Sequence, residues 1–191
     1  MLSKDIVKQF QIEINMFVIP EDRAWIYKQH SDTNHFYDEY IPYRFHLEMV
    51  ERVGRGFLHL VPSTSVKEVA VALLAHDLIE DTRNSYNDVK GALGESVADI
   101  VYAVTNDKGK NRKERAGENY YRGIRATPGA AFVKLCDRIA NVQYSKMTHS
   151  QMFFKYKDEN PYFMDELGWS GDGAHYLTQL FEELISLFEG E

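Results

Sequence analysis

Residues 66–82 read VKEVAVALLAHDLIEDT, and this stretch decides the fold. A helical residue advances about 100°, so with His76 at 0° the residues Val66, Val69 and Leu73 fall near 80°, 20° and 60°. Glu80 falls at about 40°, Asp77 at about 100° and Asp81 at about 140° on the same wheel. The spacing predicts one helix to about Asp81, whose core-facing valines and leucine lead straight into His76, Asp77 and Glu80, with Asp81 at the edge of the stripe. Inward carboxylates are costly unless paired or bound to a metal, and a helix C-terminus disfavours anions further. A cation is therefore expected beside them. Taken alone, the segment also fits a helix end that emerges into solvent with its acids hydrated.

The flanking sequence is helical in both directions, and no alternation of apolar and polar residues is long enough for a sheet. Upstream, a helix-like stretch covers 4–18, and Pro20 with Glu21 and Asp22 opens a helix to about His30. SDTNHFYDEYI (31–41) reads as a loop, Pro42 opens a helix to about Leu60, and PSTS (62–65) breaks it. Ser65 with Glu68 has the form of a capping box, and Ser85 with Asp88 a weaker version of it. Gly94 separates short helices near 85–93 and 95–105, and NDKGKNRK (106–113) is a basic loop. Further helices are expected over about 113–125, from Thr127-Pro128 to about Tyr144, and near 174–188, where Leu177, Leu180, Phe181, Leu184 and Leu187 recur at helical spacing. The expected architecture is all-α in a single domain over 1–191, with a core at about 20–145 and C-terminal helices at about 150–188.

Composition narrows the function. The chain has 191 residues, 44% hydrophobic and 27% charged, an ordinary globular mix. A net charge of −7 argues against nucleic acid or an anionic membrane surface as partner. The single cysteine, Cys136, excludes an intrachain disulfide and a cysteine-based zinc site. No apolar run approaches the length of a membrane span. The opening MLSKDIVKQFQIEIN lacks the apolar segment of a signal peptide, so a reducing cytoplasm is the expected location.

Two more inward polar positions accompany the first. In the helix after Pro42, His46 shares a face with Tyr43, Met49, Val50, Val53 and Phe57. In the helix after Pro128, Asp137 shares a face with Ala130, Val133, Lys134 and Asn141. One shared metal site explains three inward polar sites on three helices better than three separate causes do. Two His and two Asp form a nitrogen and oxygen donor set without thiolate, which suits Mn²⁺, Fe²⁺ or Zn²⁺ with positions left open for water.

Five stretches then carry a family resemblance. They are PYRFHLEMV (42–50), ALLAHDLIEDT (72–82), AVTNDK (103–108), VKLCDRIAN (133–141), and Tyr156, Glu159 and Phe163 nearer the end. Their order resembles the HD-domain metal-dependent phosphohydrolases, and is most similar to the stand-alone RelA/SpoT-type hydrolases that remove pyrophosphate from (p)ppGpp. The resemblance implies an HD-domain helical bundle with a metal site in a central cleft. It implies one divalent ion, Mn²⁺ foremost, held by His46, His76, Asp77 and Asp137, with Glu80 and Asp81 as the acidic pair that handles the attacking water. Asn141, one turn after Asp137, matches a position near the nucleotide, so the implied partner is a small phosphorylated nucleotide.

The chain departs from that family at 31–41. The alarmone hydrolases carry basic residues there, whereas this stretch has none. Tyr37 or His35 either stacks on a base or packs back on the domain. The basic run Lys108, Lys110, Arg112, Lys113 and Arg115 is either a solvated loop or a phosphate contact, with Lys108 and Arg112 the best candidates. His30 matches a histidine that ends the family's first helix. His59, His149 and His175 read as structural or exposed, and Cys136 as packing. The leading function is a (p)ppGpp-type 3′-pyrophosphohydrolase. The alternatives are an HD-class 5′-nucleotidase, where a Gly-Asp-Leu-Pro-like segment follows in place of Asp81-Thr82-Arg83-Asn84, and a nucleotide-binding regulatory module without catalysis.

Overall fold

The computed structural model describes residues 17–189 apart from Asp107 and Ala174, and leaves out the side chains of Arg112 and Lys113. All but the last two residues of the helix-like stretch expected over 4–18 lie outside the described residues. Helix α1 (Pro20–Asp32) starts on its proline with Glu21 and Asp22 in the first turn. The segment after it is a small hairpin rather than a plain loop: β1 (Phe36–Asp38) pairs antiparallel with β2 (Ile41–Pro42). Strands this short leave no period-two pattern in a sequence. Pro42 thus ends a strand, and α2 (Arg44–Phe57) begins after it and tightens into a 3-10 turn at Leu58–Leu60.

Helix α3 (Val66–Ala75) departs from expectation at both ends. Ser65 precedes it at φ −123°, ψ 1° and makes no side-chain cap, so the box with Glu68 does not form. At the other end the helix stops, and a separate turn, α4 (Leu78–Asp81), carries the acids. Asp77 between them has φ −98° and ψ 5°, off the helical values.

The remaining elements follow the punctuation closely. The Ser85–Asp88 capping box forms fully ahead of α5 (Tyr86–Leu93). Gly94, at φ 94°, turns the chain into α6 (Glu95–Val104). The helix expected near 113–125 is two, α7 (Arg112–Arg115) and α8 (Glu118–Ala126), because the chain opens at Gly117. Gly129, at φ 85°, precedes α9 (Ala130–Met147), and α10 (Met152–Glu166) and α11 (Thr178–Ser186) complete the order.

Packing explains why the motif helices meet. Every residue from Val69 to Ala75 is buried, so α3 is covered on all sides. It packs on α2, α6 and α9, and α9 also packs on α2, α10 and α11. The helices that carry or lead into His46, His76 and Asp137 are therefore mutual neighbours. A bidentate pair from Arg23 to the buried Glu51, at 2.6 and 2.8 Å, fixes α1 against α2. No helix among the described residues is long and apolar enough to cross a membrane.

The α2–α3 approach depends on a missing side chain, since a Cβ on Gly54 would overlap the Leu73 side chain. Gly54→Ala is expected to lose about 1–3 kcal/mol through overpacking. The exposed Gly56, with nothing within 4 Å of a built Cβ, should gain about 0.5–1 kcal/mol from the same substitution through helix propensity. Urea unfolding midpoints of both variants check this; two shifts of the same sign would mean the helices are not in close contact.

Candidate active site

The site is assembled by the break after α3. Consecutive helical residues point about 100° apart, and a local distortion can bring His76 and Asp77 closer to one centre. Leaving helical geometry at Asp77 does so: its Oδ2 lies 2.8 Å from His76 Nε2. His46, on the first turn of α2, brings its Nε2 to 3.2 Å from His76 Nε2 and 3.5 Å from Asp77 Oδ2. Asp137, midway along α9, places Oδ1 3.3 Å from His46 Nε2 and 3.8 Å from His76 Nε2. The structure thus brings together the four residues singled out from the sequence.

The electrostatics of this cluster demand a positive charge. The Leu73 carbonyl accepts from His76 Nδ1 at 3.0 Å, so the neutral ring turns its Nε2 lone pair toward the cluster. Facing ring nitrogens beside two carboxylates repel unless a proton or a cation lies among them. Burial pulls His46 down, but hydrogen bonds to Asp137 and Asp77 outweigh it and raise it to about 9. Burial also opposes ionisation of Asp77, yet His76 and His46 hold it well below the usual carboxylate range. One donor atom from each of His46, His76 and Asp77 lies within 4.8 Å of the others, a spacing that fits a single ion. Asp137 is the fourth donor at hand, and the thiol of the buried Cys136 is no part of the group.

The acidic pair is split by the same break. The wheel placed Glu80 inward and Asp81 at the edge, but restarting the helix at Leu78 reverses them. Glu80 is exposed at the rim, where Asn106 donates to it from its backbone N–H at 3.1 Å and from Nδ2 at 2.8 and 3.0 Å. Asp81 is half-buried, and burial together with the charge on Asp77 pushes it up to about 7. The Tyr43 hydroxyl reaches Asp81 Oδ2 at 2.9 Å and is hydrogen-bonded to Asp77 Oδ2 as well. A hydroxyl has one proton, so the second of these contacts requires a proton on a carboxylate.

The hairpin packs back on the site. Tyr37 lies on the His46 ring at 4.7 Å and 10°, and His35 on Tyr43 at 3.9 Å. His30 backs Tyr43 at 4.7 Å and is buried. The Tyr37 hydroxyl donates to Asn141 Oδ1 at 2.9 Å, and Asn141 Nδ2 donates to Asp137 Oδ1 at 2.5 Å. Asn141 is therefore tied to a cluster carboxylate as well as facing the cavity.

Above the cluster opens a cavity of about 680 Å³. Its walls carry Tyr120, Tyr121, Tyr156, Tyr162 and Phe163, with Arg115, Lys134 and Arg138 as cations. Of the phosphate candidates read from the sequence, Lys108 is exposed and is no part of the lining, and the Arg112 side chain lies outside the described residues. Tyr43, Lys134 and Asn106 were missed as site residues. The signal was present for two of them: Tyr43 and Lys134 each stand three residues before a residue of the cluster, His46 and Asp137, and so share its helical face. Tyr43→Phe should destabilise the chelator-treated protein by about 1–3 kcal/mol, because Asp77 and Asp81 lose the hydroxyl that bridges them in a largely buried setting. Denaturant unfolding measures this, and an unchanged midpoint would mean that the hydroxyl is dispensable.

Compared with models of known protein families, the chain matches none. Among curated proteins it is 31% identical over 116 residues to the guanosine-3′,5′-bis(diphosphate) 3′-pyrophosphohydrolase MESH1 of Danio rerio, covering 61% of this chain and 62% of that one. It is 39% identical over 79 residues to the guanosine-3′,5′-bis(diphosphate) 3′-pyrophosphohydrolase of Aquifex aeolicus, 40% of this chain and 11% of that one. The chain thus spans less than two thirds of the length of these curated relatives. A solved structure described as a metazoan ortholog of SpoT that hydrolyzes ppGpp superposes with a TM-score of 0.66 at 23% identity, over 88% of this chain and 92% of that one. The chain has the helical fold of that metazoan protein, as its motifs implied, and is similar in sequence to guanosine-3′,5′-bis(diphosphate) 3′-pyrophosphohydrolases.

Proposed function

We propose that the chain is a metal-dependent hydrolase of a phosphorylated nucleotide that releases pyrophosphate from the ribose 3′ oxygen of (p)ppGpp. The observation that carries this is the convergence of His46, His76, Asp77 and Asp137 at the floor of a cavity with cationic and aromatic walls. The names of the sequence relatives support the same substrate. The four residues would hold one divalent ion, Mn²⁺ ahead of Fe²⁺ or Zn²⁺, given nitrogen and oxygen donors without thiolate. A bound ion of this kind lowers the pKa of a water and neutralises phosphate oxygens.

The chain's own residues supply the rest. Asp81, pushed up to about 7, is poised to take a proton from the attacking water near neutral pH. Glu80, held by Asn106 at the rim, orients that water. The water oxygen joins the phosphorus, the bond to the ribose 3′ oxygen breaks, and that oxygen takes up the proton that Asp81 received and leaves as a hydroxyl. Lys134, Arg138 and Arg115 offset phosphate charge, and the tyrosine wall offers stacking surfaces for base and sugar. On the hairpin side, an adjoining pocket of about 250 Å³ has Asp38 and no Lys or Arg in its lining. A nucleotide with two diphosphates finds no cation there, so a high KM is expected for ppGpp.

Three measurements test this reading. Metal analysis of His46→Ala, His76→Ala, Asp77→Ala and Asp137→Ala should find each without bound metal, and full occupancy in two or more removes the ligand assignment. Asp81→Asn should keep its metal and slow turnover by about 10²–10⁴-fold, with a smaller loss in Glu80→Gln. Near-normal turnover in metal-loaded Asp81→Asn would transfer the base role to Glu80. Chromatography of a ppGpp reaction should give GDP and pyrophosphate, while inertness toward ppGpp with rapid dephosphorylation of nucleoside 5′-monophosphates would assign the site to nucleotidase chemistry.

A further inference from the structure

We infer that Arg115 is a specificity-determining residue: its guanidinium binds a substrate phosphate other than the one under attack, and so selects a 3′-diphosphate over a 3′-monophosphate. The inference rests on the hydrolase reading for its substrate and on the cavity wall for its evidence. Three described cations line that wall, and two are already committed. Lys134 Nζ lies 3.0 Å from Asp137 Oδ2. Arg138 Nη1 lies 3.1 Å from Glu159 Oε2, and its guanidinium stacks over Phe163 at 4.4 Å and Tyr156 at 4.8 Å. Arg115 differs: its Nε is buried and meets no acceptor among the described residues.

A desolvated guanidinium N–H without an acceptor is costly, and the fork of donors matches phosphate geometry. The acids of the cavity wall have other partners: Glu80 holds Asn106, Asp81 holds Tyr43, and Glu159 holds Arg138. The nearest acid in sequence is also engaged, since Glu114 accepts from the Lys110 backbone N–H at 2.9 Å and from Asn111 Nδ2 at 2.9 Å. These bonds also order the loop, and Gly109 packs so closely on it that a Cβ there would lie 3.0 Å from the Arg115 backbone nitrogen. Arg115 is thus a positioned cation at the cavity wall with a buried donor left over, beside the uncharged Tyr120, Tyr121 and Asn106. The metal-binding cluster takes the reacting phosphorus, so a second phosphate extending up the wall meets the guanidinium where Arg115 lines the cavity.

The test compares wild type with Arg115→Gln, both loaded with Mn²⁺, on ppGpp and on the nucleotide with a single 3′ phosphate. The ratio of kcat/KM for diphosphate over monophosphate should fall by about 10- to 100-fold, mainly in the diphosphate KM. Calorimetry of metal-free protein with inorganic pyrophosphate should show affinity lost about 10-fold in Arg115→Gln, partly recovered in Arg115→Lys, and unchanged in Arg122→Gln, where an exposed arginine bonds only Asn119. An unaltered ratio together with unaltered pyrophosphate affinity overturns the assignment and leaves the hydrolase reading intact. If wild type hydrolyses neither nucleotide yet its pyrophosphate affinity depends on Arg115, the hydrolase reading fails and the phosphate subsite stands.

Discussion

The structure depends on one electrostatic constraint: two imidazoles and two carboxylates converge in the interior, among helices otherwise packed with valine, leucine and alanine. Removing ions from water costs several kcal/mol each unless geometry and hydrogen bonds repay it. Donor atoms from α2, α9 and the break after α3 must therefore approach within about 4 Å, which sets the helix spacing. Small residues make that spacing possible. A Cβ on Gly54 would collide with Leu73, and one on Gly129 would stand 2.6 Å from Val69 Cγ2. Positive charge at the centre completes the arrangement. With protons this is His46 held charged to about 9. A metal ion bound only to the folded chain adds stability in proportion to its concentration over its dissociation constant.

Much of this was legible because helices repeat. The faces that carry His46 and Asp137 inward follow from 3.6-residue spacing, and both residues are buried where that spacing put them. The failures share a cause: a wheel assumes an unbroken helix. The assumption fails at Asp77, and the error carries forward to Glu80, which reads as inward and is exposed. The same assumption fused α7 with α8 across Gly117, and read the Ser65–Glu68 spacing as a capping box without the backbone geometry a box requires.

Charge runs are legible as charge and illegible as contacts. The run from Lys108 to Arg115 suggests phosphate binding, but the spacing of its five cations does not say which of them reaches a cavity. Lys108 faces solvent, while Arg115, at the end of α7, reaches the cavity. Arg138 is illegible for the opposite reason. It stands outside any charge run, and only tertiary packing shows that it lines the cavity beside Lys134 and Asp137.

The hairpin gives the departure at 31–41 a physical meaning. At 31–41 this chain places Tyr37 flat on His46 with its hydroxyl on Asn141, and His35 flat on Tyr43. Each contact restrains a residue that is in the cluster or bonded to it. Partners of this outer kind orient ligands and strengthen their basicity. The cavity is thereby divided. Its hairpin side holds the cluster rigid and presents Asp38 outward, while the side built from α7 to α10 carries Arg115, Lys134 and Arg138. In a chain of net charge −7, that wall gathers three of the described cations around one cavity. The described cations of the cavity therefore stand on one side of the cluster only, together with the tyrosines.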